Sequence, residues 1–400
     1  MVSAEPTDSR RERGYFMAKT FRITKDENGS WIVPSASGNG KYTVTLRNDR
    51  PSCTCLGFGV HHLRCKHIYA LEAFLKDEIE NPPKTTKKTY ARDWPSINQA
   101  QTKEKELFQK LLFDICSDVS SKQYTFGRPA LPMADMIFAS ALKVYSTFSL
   151  RRFISDMKEA KEKGYCEKVC SYSTVSNYMR NKDITSILVE LIQKSSMPLK
   201  SVETDFAVDS SGFGTSKFDR WYSFRYGKEI NRHSWIKAHL INGVKTHIIT
   251  SIKITQRDGG DSPQFGELVS DTAQNFQVSE VSADKAYSSK GNMNLVSELG
   301  GTPYIPFKSN AIGKSRGNGS RLWNKMFYYF LYKHDEFNEH YHKRSNVETV
   351  FHMLKSKFGD SVRSREWTSQ VNEVLLKVLC HNICVLIQEM FELGIEPNFN

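Results

Sequence analysis

The sequence predicts a multidomain α+β protein with a small β-rich segment, an all-α middle segment and a mixed α/β C-terminal half. Three observations carry this expectation. Period-two alternation marks residues 20–75, with Tyr42, Val44 and Leu46 apolar against Thr43, Thr45 and Arg47. Helical periodicity runs through 97–200, and strand-like apolar runs return after Ser201 before two long helices. At 400 residues with 39% apolar content, the chain is long enough for two or three cores.

In chain order, residues 1–20 are polar and carry Arg10, Arg11 and Arg13, which reads as a flexible basic leader. A β-rich domain is expected at 20–79, with a turn at 48–51 and a helix from about His67. Residues 80–96 combine Pro82, Pro83 and Lys-rich polarity, the composition of a linker. The segment 97–200 holds candidate helices near 98–117, 133–146, 149–163, 173–181 and 184–195. Within it, 149–163 followed by 171–181 offers a helix-turn-helix arrangement that would suit DNA.

The C-terminal domain is expected at 201–393. It opens on a strand ending in FAVDSSGF, followed by a hairpin over 235–255. The Asn242-Gly243 pair supplies the turn signal, because a type I′ turn needs positive φ at both central residues. Further strands are read at 278–283 and 302–307, and helices at 336–358 and 368–393.

The formal charge of +12 and pI near 9.1 favour a polyanionic partner, since each Lys or Arg on a phosphate releases counterions. Nucleic acid fits better than a membrane, because neither a basic amphipathic helix nor a lipidation signal is found. No signal-peptide layout is found, nor an apolar run of roughly 18 residues, so a cytoplasmic protein is expected. Eight cysteines in that compartment point to metal ligation or burial.

Cys53 and Cys55, at i and i+2 of a strand, present both sulfurs to one side. Cys65 and His67 arrive from the loop and the helix start. Three thiolates and one imidazole make a closed tetrahedral shell for structural Zn²⁺, with no position left for catalysis. The pattern C-x-C-x9-C-x-H, over about 41–78, resembles the SWIM zinc-finger family, which implies a small DNA- or protein-binding module. Cys166 with Cys170, and Cys380 with Cys384 and His381, read instead as buried side chains.

In YHKRSNVETVFHMLKSKFG, Tyr341, Arg344, Glu348 and Lys355 fall within an arc of about 60° on a helix, beside an apolar stripe of Val347, Val350, Phe351, Leu354 and Phe358. By itself this is also what a solvated helix with an i,i+4 ion pair from Arg344 to Glu348 looks like. The spacing Tyr-x2-Arg-x3-Glu-x6-Lys, however, resembles the signature of insertion-sequence DDE transposases, whose catalytic domain is RNase H-like. The resemblance extends over about 201–390 and puts the first acid at Asp209, in VDSSGF, and the second at Asp284, in VSADKAYSS.

It implies that Asp209, Asp284 and Glu348 are catalytic and hold Mg²⁺ or Mn²⁺, and that Tyr341, Arg344 and Lys355 hold DNA. It further implies metal-dependent cleavage at transposon ends, strand transfer into target DNA, a homodimer on paired ends and a nucleoid-associated protein of a prokaryotic cell. The alternatives are a domesticated, non-catalytic DNA-binding descendant and an RNase H-like nuclease without strand transfer. Among competing acids, Asp205 lies four residues early, Asp258 sits in a turn, and Asp261 before Ser262-Pro263 suits a helix start.

Two more stretches are candidate DNA surfaces. Residues 217–235 interleave Arg220, Arg225, Lys228 and Arg232 with Trp221, Tyr222, Phe224 and Tyr226. The short stretch between Asp284 and Glu348 leaves no room for a large inserted β domain, so the Gly- and Arg-rich loop 313–323 is expected to shape the DNA end.

Overall fold

The computed structural model describes residues 9–26, 28–36, 40–47, 50–80, 93–120, 130–215, 225, 234–313 and 321–399. Most of the proposed linker, most of the 217–235 surface and most of the 313–323 loop lie outside these residues. The elements in chain order begin with α1 (Ser9–Thr20), β1 (Thr24–Lys25), β2 (Trp31–Pro34), β3 (Lys41–Arg47), β4 (Arg50–Cys53), α2 (Leu56–His61) and α3 (Lys66–Glu80). Five helices follow: α4 (Trp94–Cys116), α5 (Met133–Ser146), α6 (Ile154–Glu162), α7 (Tyr172–Met179) and α8 (Lys182–Ser196).

Next come β5 (Asp205–Gly214), β6 (Trp235–Gly243), β7 (Ile249–Gln256), α9 (Ser262–Asn275), β8 (Glu280–Ala283), α10 (Lys290–Glu298) and β9 (Thr302–Tyr304). The chain ends with α11 (Arg321–Tyr332), α12 (His334–Tyr341), α13 (Ser345–Phe358) and α14 (Trp367–Glu392). It forms two compact units, one of residues 1–90 and 307–340, the other of 91–306 and 341–400.

In the first unit, β1 to β4 form an antiparallel meander, with Val44 opposite Cys53 and Tyr42 opposite Val33. Val33 and Val44 are buried with Ile68, Leu71 and Leu75 of α3, the apolar face of an amphipathic helix. The expected flexible leader is instead helical from Ser9. α1 packs on α3 so closely that a Cβ on Gly14 would lie 2.5 Å from Tyr69 Cβ, and Met17 is buried. Arg10 and Arg13 are exposed while Arg11 is half-buried beside Tyr69 and Glu72 of α3, so a polar local sequence is held helical by a tertiary contact. In the same unit Phe307, Phe327, Phe330 and Phe337 form edge-on ring pairs, and Trp323 joins them at 4.7 Å from Phe307.

The second unit is built on a five-stranded mixed sheet in the order β7-β6-β5-β8-β9. β5, β6 and β7 run antiparallel, while β8 and β9 run parallel to β5, each reached through a helix, α9 and α10. The helices α4 to α8 share one apolar core with the sheet and α14. Side-chain caps set three of their starts: Asp93 accepts from Ser96 N for α4, Ser171 from Thr174 N for α7, and Asn181 from Asp183 N for α8. The helix-turn-helix expectation does not survive, because the connection from Lys163 to Ser171 is far longer than the three- to four-residue turn of that motif.

The hairpin of 235–255 forms, but its turn is not at Asn242-Gly243. Both residues lie in β6, and the turn spans 244–248 with His247 at φ 67°. Gly243 serves a different need: a Cβ there would lie 2.3 Å from the Glu203 carboxyl carbon, and Glu203 accepts hydrogen bonds from Lys245 N, Thr246 N and Thr246 Oγ1. A carboxylate thus takes up the turn's free N–H groups, and glycine is required for its approach.

α14 corrects a second expectation. An 18-residue window of it has a mean hydropathy of 1.6, long and apolar enough to cross a membrane by length and composition. Within the protein 78% of that window is buried, as the central core helix. Its polar residues are satisfied: Asn382 pairs with both Ile249 N (3.0 Å) and Ile249 O (2.8 Å) on the edge strand β7, and Lys377 Nζ donates to Gly359 O and Ser361 O.

Candidate active site and metal centre

In the first unit, the β3–β4 register carries Cys53 to the end of the sheet, and Cys55 lies just beyond it as the N-cap of α2. Cys65 and His67 flank the start of α3. The four donor atoms lie within 4.8 Å of one another, and all four residues are buried. Cys53 Sγ and Cys65 Sγ each stand 3.8 Å from His67 Nδ1. A tetrahedral zinc with Zn–S near 2.3 Å and Zn–N near 2.0–2.1 Å needs a sulfur-to-nitrogen edge of about 3.6 Å, so the cluster fits that ion. A hydrogen bond from Cys53 holds the Cys65 thiol down to about 4, while the same contact pushes Cys53 up. Among the described residues, no other three His, Cys, Asp or Glu donors come this close together.

In the second unit the carboxylates are positioned by strand register. β5 and β8 pair in parallel from Asp205↔Glu280 to Val208↔Ala283, and one further step on each strand reaches Asp209 and Asp284. Asp209 therefore lies on the central strand level with Asp284, which leaves β8 as the N-cap of a 3-10 turn and accepts from Lys285 N.

Glu348 comes from α13, which packs on β5 through Val347, Val350 and Leu354, all buried. Arg344 joins two of the acids: Nη2 lies 3.0 Å from Asp209 Oδ2 and Nη1 lies 2.8 Å from Glu348 Oε1. Burial pushes the Asp209 carboxyl above its usual range, and the charges of Asp284 and Glu348 push the same way, against Ser210 N–H and Arg344. Arg344 holds Asp209 and Glu348 together, while Asp284 acts on Asp209 through charge alone, and the three acids do not close to the 4.8 Å spacing of the cysteine cluster.

Tyr341 shares that field, its phenol raised by burial and by the same three acids against Arg344. Lys355 reaches β5 two residues beyond Asp209, donating to Ser211 Oγ at 2.7 Å, with burial lowering its pKa. The expected continuous helix 336–358 is interrupted: Tyr341 ends α12, and His342–Arg344 form a 3-10 turn before α13. With three residues per turn, that segment places Arg344 directly above Tyr341.

The competing acids have other work. Asp205 and Glu280 are bridged by Lys343 Nζ at 2.6 and 2.7 Å, a contact that ties β5 to β8 four residues before the acids. Asp261, expected as a helix cap, makes no cap hydrogen bond. It accepts instead from Ser210 Oγ (2.7 Å) and pairs with Lys237 (2.6 Å), beside the fully buried His239, whose Nε2 meets Thr255 Oγ1 at 2.9 Å. Burial raises the Asp261 carboxyl, but Lys237 and Ser210 override it and hold it below the usual range. Burial also pushes His239 down to about 4, so Lys237 is the cation of the group.

This brace went unread in the sequence. Its only local signal is two basic residues, Lys237 and His239, at alternate positions of an otherwise apolar strand. It bears on the acids because Ser210 also donates its N–H to Asp209 Oδ1 at 2.8 Å. Cys166, Cys170 and Cys380 are buried as expected, with Cys380 donating to Ala141 O, whereas Cys384 is half-buried and accepts from Lys357 Nζ at 3.3 Å.

One unit thus carries a Cys₃His cluster with the spacing of a zinc site, and the other carries carboxylates on and beside a mixed sheet. Residues 200–383 match the transposase DDE domain and residues 42–76 match the SWIM zinc finger, so the chain carries a transposase DDE domain behind a SWIM zinc finger. It is also similar to a piggyBac transposase in a synaptic complex with hairpin DNA. That match has 12% identity over 73% of this chain and 74% of that chain, with a TM-score of 0.35. The two family matches, not this likeness, carry the assignment.

Proposed function

We propose that the chain is a DNA transposase that cleaves transposon ends and transfers them into target DNA, with Asp209, Asp284 and Glu348 as its catalytic residues. One observation carries this reading. The β5–β8 register sets two carboxylates level on adjacent parallel strands, where Arg344 ties a third to the first. The strand order β7-β6-β5-β8-β9, three antiparallel and two parallel, supports an RNase H-like catalytic domain at 201–393. We place a SWIM domain at 20–79, a linker at 80–96 and a helical DNA-binding segment at 97–200 ahead of it.

The donor set consists of hard carboxylate oxygens, which suit Mg²⁺ or Mn²⁺. Two such ions, when bound, make the attacking oxygen nucleophilic and stabilise the leaving one. Asp209, Asp284 and Glu348 would hold them. Arg344 compensates the charge of Asp209 and Glu348 in the free protein and presents a fork suited to phosphate when DNA arrives. Tyr341 and Lys355 supply further phosphate donors at the same edge of β5. Zn²⁺ at Cys53, Cys55, Cys65 and His67 is structural.

The partner is double-stranded DNA, and handling two ends together calls for a homodimer. The resemblance to insertion-sequence transposases would place it on the nucleoid, in the cytoplasm of a prokaryotic cell. The test uses duplexes carrying the sequences that flank the gene, with Mg²⁺. Glu348→Gln is expected to bind them as the unaltered protein does and to leave them uncut. Retained cleavage overturns the assignment.

A further inference from the structure

In the second unit, away from the carboxylates, residues of α5, the turn after it, α7 and the segment entering α14 line a cavity of about 420 Å³. Four cations stand on its wall, Lys143, Arg180, Arg363 and Arg365, together with the hydroxyls of Ser149 and Ser176. The two acids on the wall are engaged. Glu373 accepts from Arg363 N (2.9 Å), Ser364 N (2.9 Å) and Ser364 Oγ (2.7 Å), and Glu366 lies 3.6 Å from Arg180 on the exposed side. The wall is therefore electropositive; Arg363 spends Nη1 on Phe148 O at 3.1 Å and keeps its other guanidinium N–H groups for an anion.

Lys143 decides what the cavity is for. It is 6% exposed, yet among the described residues its Nζ makes no hydrogen bond and no ion pair. Burial pushes its pKa down, and Arg363 adds to this against Glu373. The charge that favours the ammonium is chiefly that of Glu373, itself engaged by Arg363 N and Ser364, so a cation largely withdrawn from water faces the cavity with no direct acceptor among the described residues. Elsewhere in the same core the comparable cation is satisfied: Lys377, 1% exposed, has two carbonyl acceptors at 2.9 and 2.8 Å. The missing partner of Lys143 is best supplied from outside.

We propose that this cavity binds a phosphodiester of the DNA backbone, with Lys143 as its buried cation and Arg180 and Arg363 as its outer donors. The neighbouring rings favour a strand bearing bases over a free anion. Tyr172, 44% exposed and one turn before Ser176 on α7, carries the Arg151 guanidinium 5.3 Å from its centroid, and Phe148 beside Ser149 is 47% exposed. A lone phosphate would use neither face. The inference rests on reading the chain as a DNA-binding protein, and does not depend on the carboxylates.

The test is Lys143→Met in the full chain, with a duplex of arbitrary sequence and no divalent ion. Losing one phosphate contact lowers the slope of log affinity against log salt by about 0.9, equivalent to about five-fold weaker binding at 0.15 M salt. The DNA-free variant should melt higher than the parent, because an unpartnered charge has been removed, and Lys143→Arg should keep the parent slope. A Lys143→Met protein that melts lower, fails to fold or keeps the full slope overturns the proposal.

Inorganic phosphate is the second probe. If it raises the parent's melting temperature through Lys143 while the DNA slope stays unchanged, the cavity takes small anions and the backbone assignment fails. Because no metal is present, these outcomes are independent of whether Glu348→Gln abolishes cleavage.

Discussion

Arg344 makes two contacts of very different worth, and a pair of double-mutant cycles can separate them. Its bond to Asp209 joins two side chains that are each 20% exposed, at 3.0 Å, whereas its bond to Glu348 reaches a side chain that is 61% exposed. A charge-assisted hydrogen bond shielded from water is worth about 1.5–3 kcal/mol. An exposed i,i+4 pair is worth about 0.3–0.5 kcal/mol. The coupling of Arg344→Met with Asp209→Asn should therefore exceed that with Glu348→Gln at least three-fold. The assay is denaturant unfolding of the metal-free protein, following the transition of the second unit. Equal couplings, or a larger one to Glu348, would refute the claim that Asp209 is the partner that anchors the arginine.

Three further outcomes follow from the same geometry. The chain should hold one zinc ion, and Cys65→Ser should release it. With structural zinc contributing on the order of 10 kcal/mol, amide exchange should then rise throughout β2 to β4 while the sheet around β5 stays protected. Asp261→Asn removes the countercharge of Lys237 and loosens Ser210. It should cost about 1–3 kcal/mol in stability and slow cleavage several-fold with DNA affinity unchanged, and a normal cleavage rate would count against the brace.

His381, 3% exposed and bonded to His247 O, is pushed down by burial to about 4. Between that value and the unfolded value of about 6.5, the unfolded chain binds a proton that the folded chain does not, so this contribution grows as pH rises through the window. His381→Gln should flatten the stability profile between about pH 4 and 6.5, and an unchanged profile would contradict it.

What could be read from the sequence was local chemistry at short spacing. Cys53, Cys55, Cys65 and His67 do converge as their spacing suggests, but not through a strand pair: the strand ends at Cys53, and Cys55 reaches the cluster as the N-cap of α2. The stripe Val347, Val350, Leu354 follows from helical spacing. What escaped depends on partners distant in sequence. Nothing near Asp261 announces Lys237, nothing near Gly14 announces Tyr69, and Gly243 looked like a turn residue because Glu203, which needs the space, lies forty positions earlier. The pairing of β5 with β8, on which Asp209 and Asp284 depend, is likewise a long-range register. The break at His342–Arg344 is invisible to a pattern of period 3.6, since three tightened residues barely shift the apolar stripe.

The central claim is that Asp209, Asp284 and Glu348 together form one divalent-metal site. Manganese binding, counted by its paramagnetic signal on zinc-loaded protein with DNA, tests it most directly. The account predicts two ions per chain in the parent protein, and loss of binding in Asp209→Asn, Asp284→Asn and Glu348→Gln, with zinc content unchanged. Manganese affinity that is indifferent to all three substitutions would contradict it.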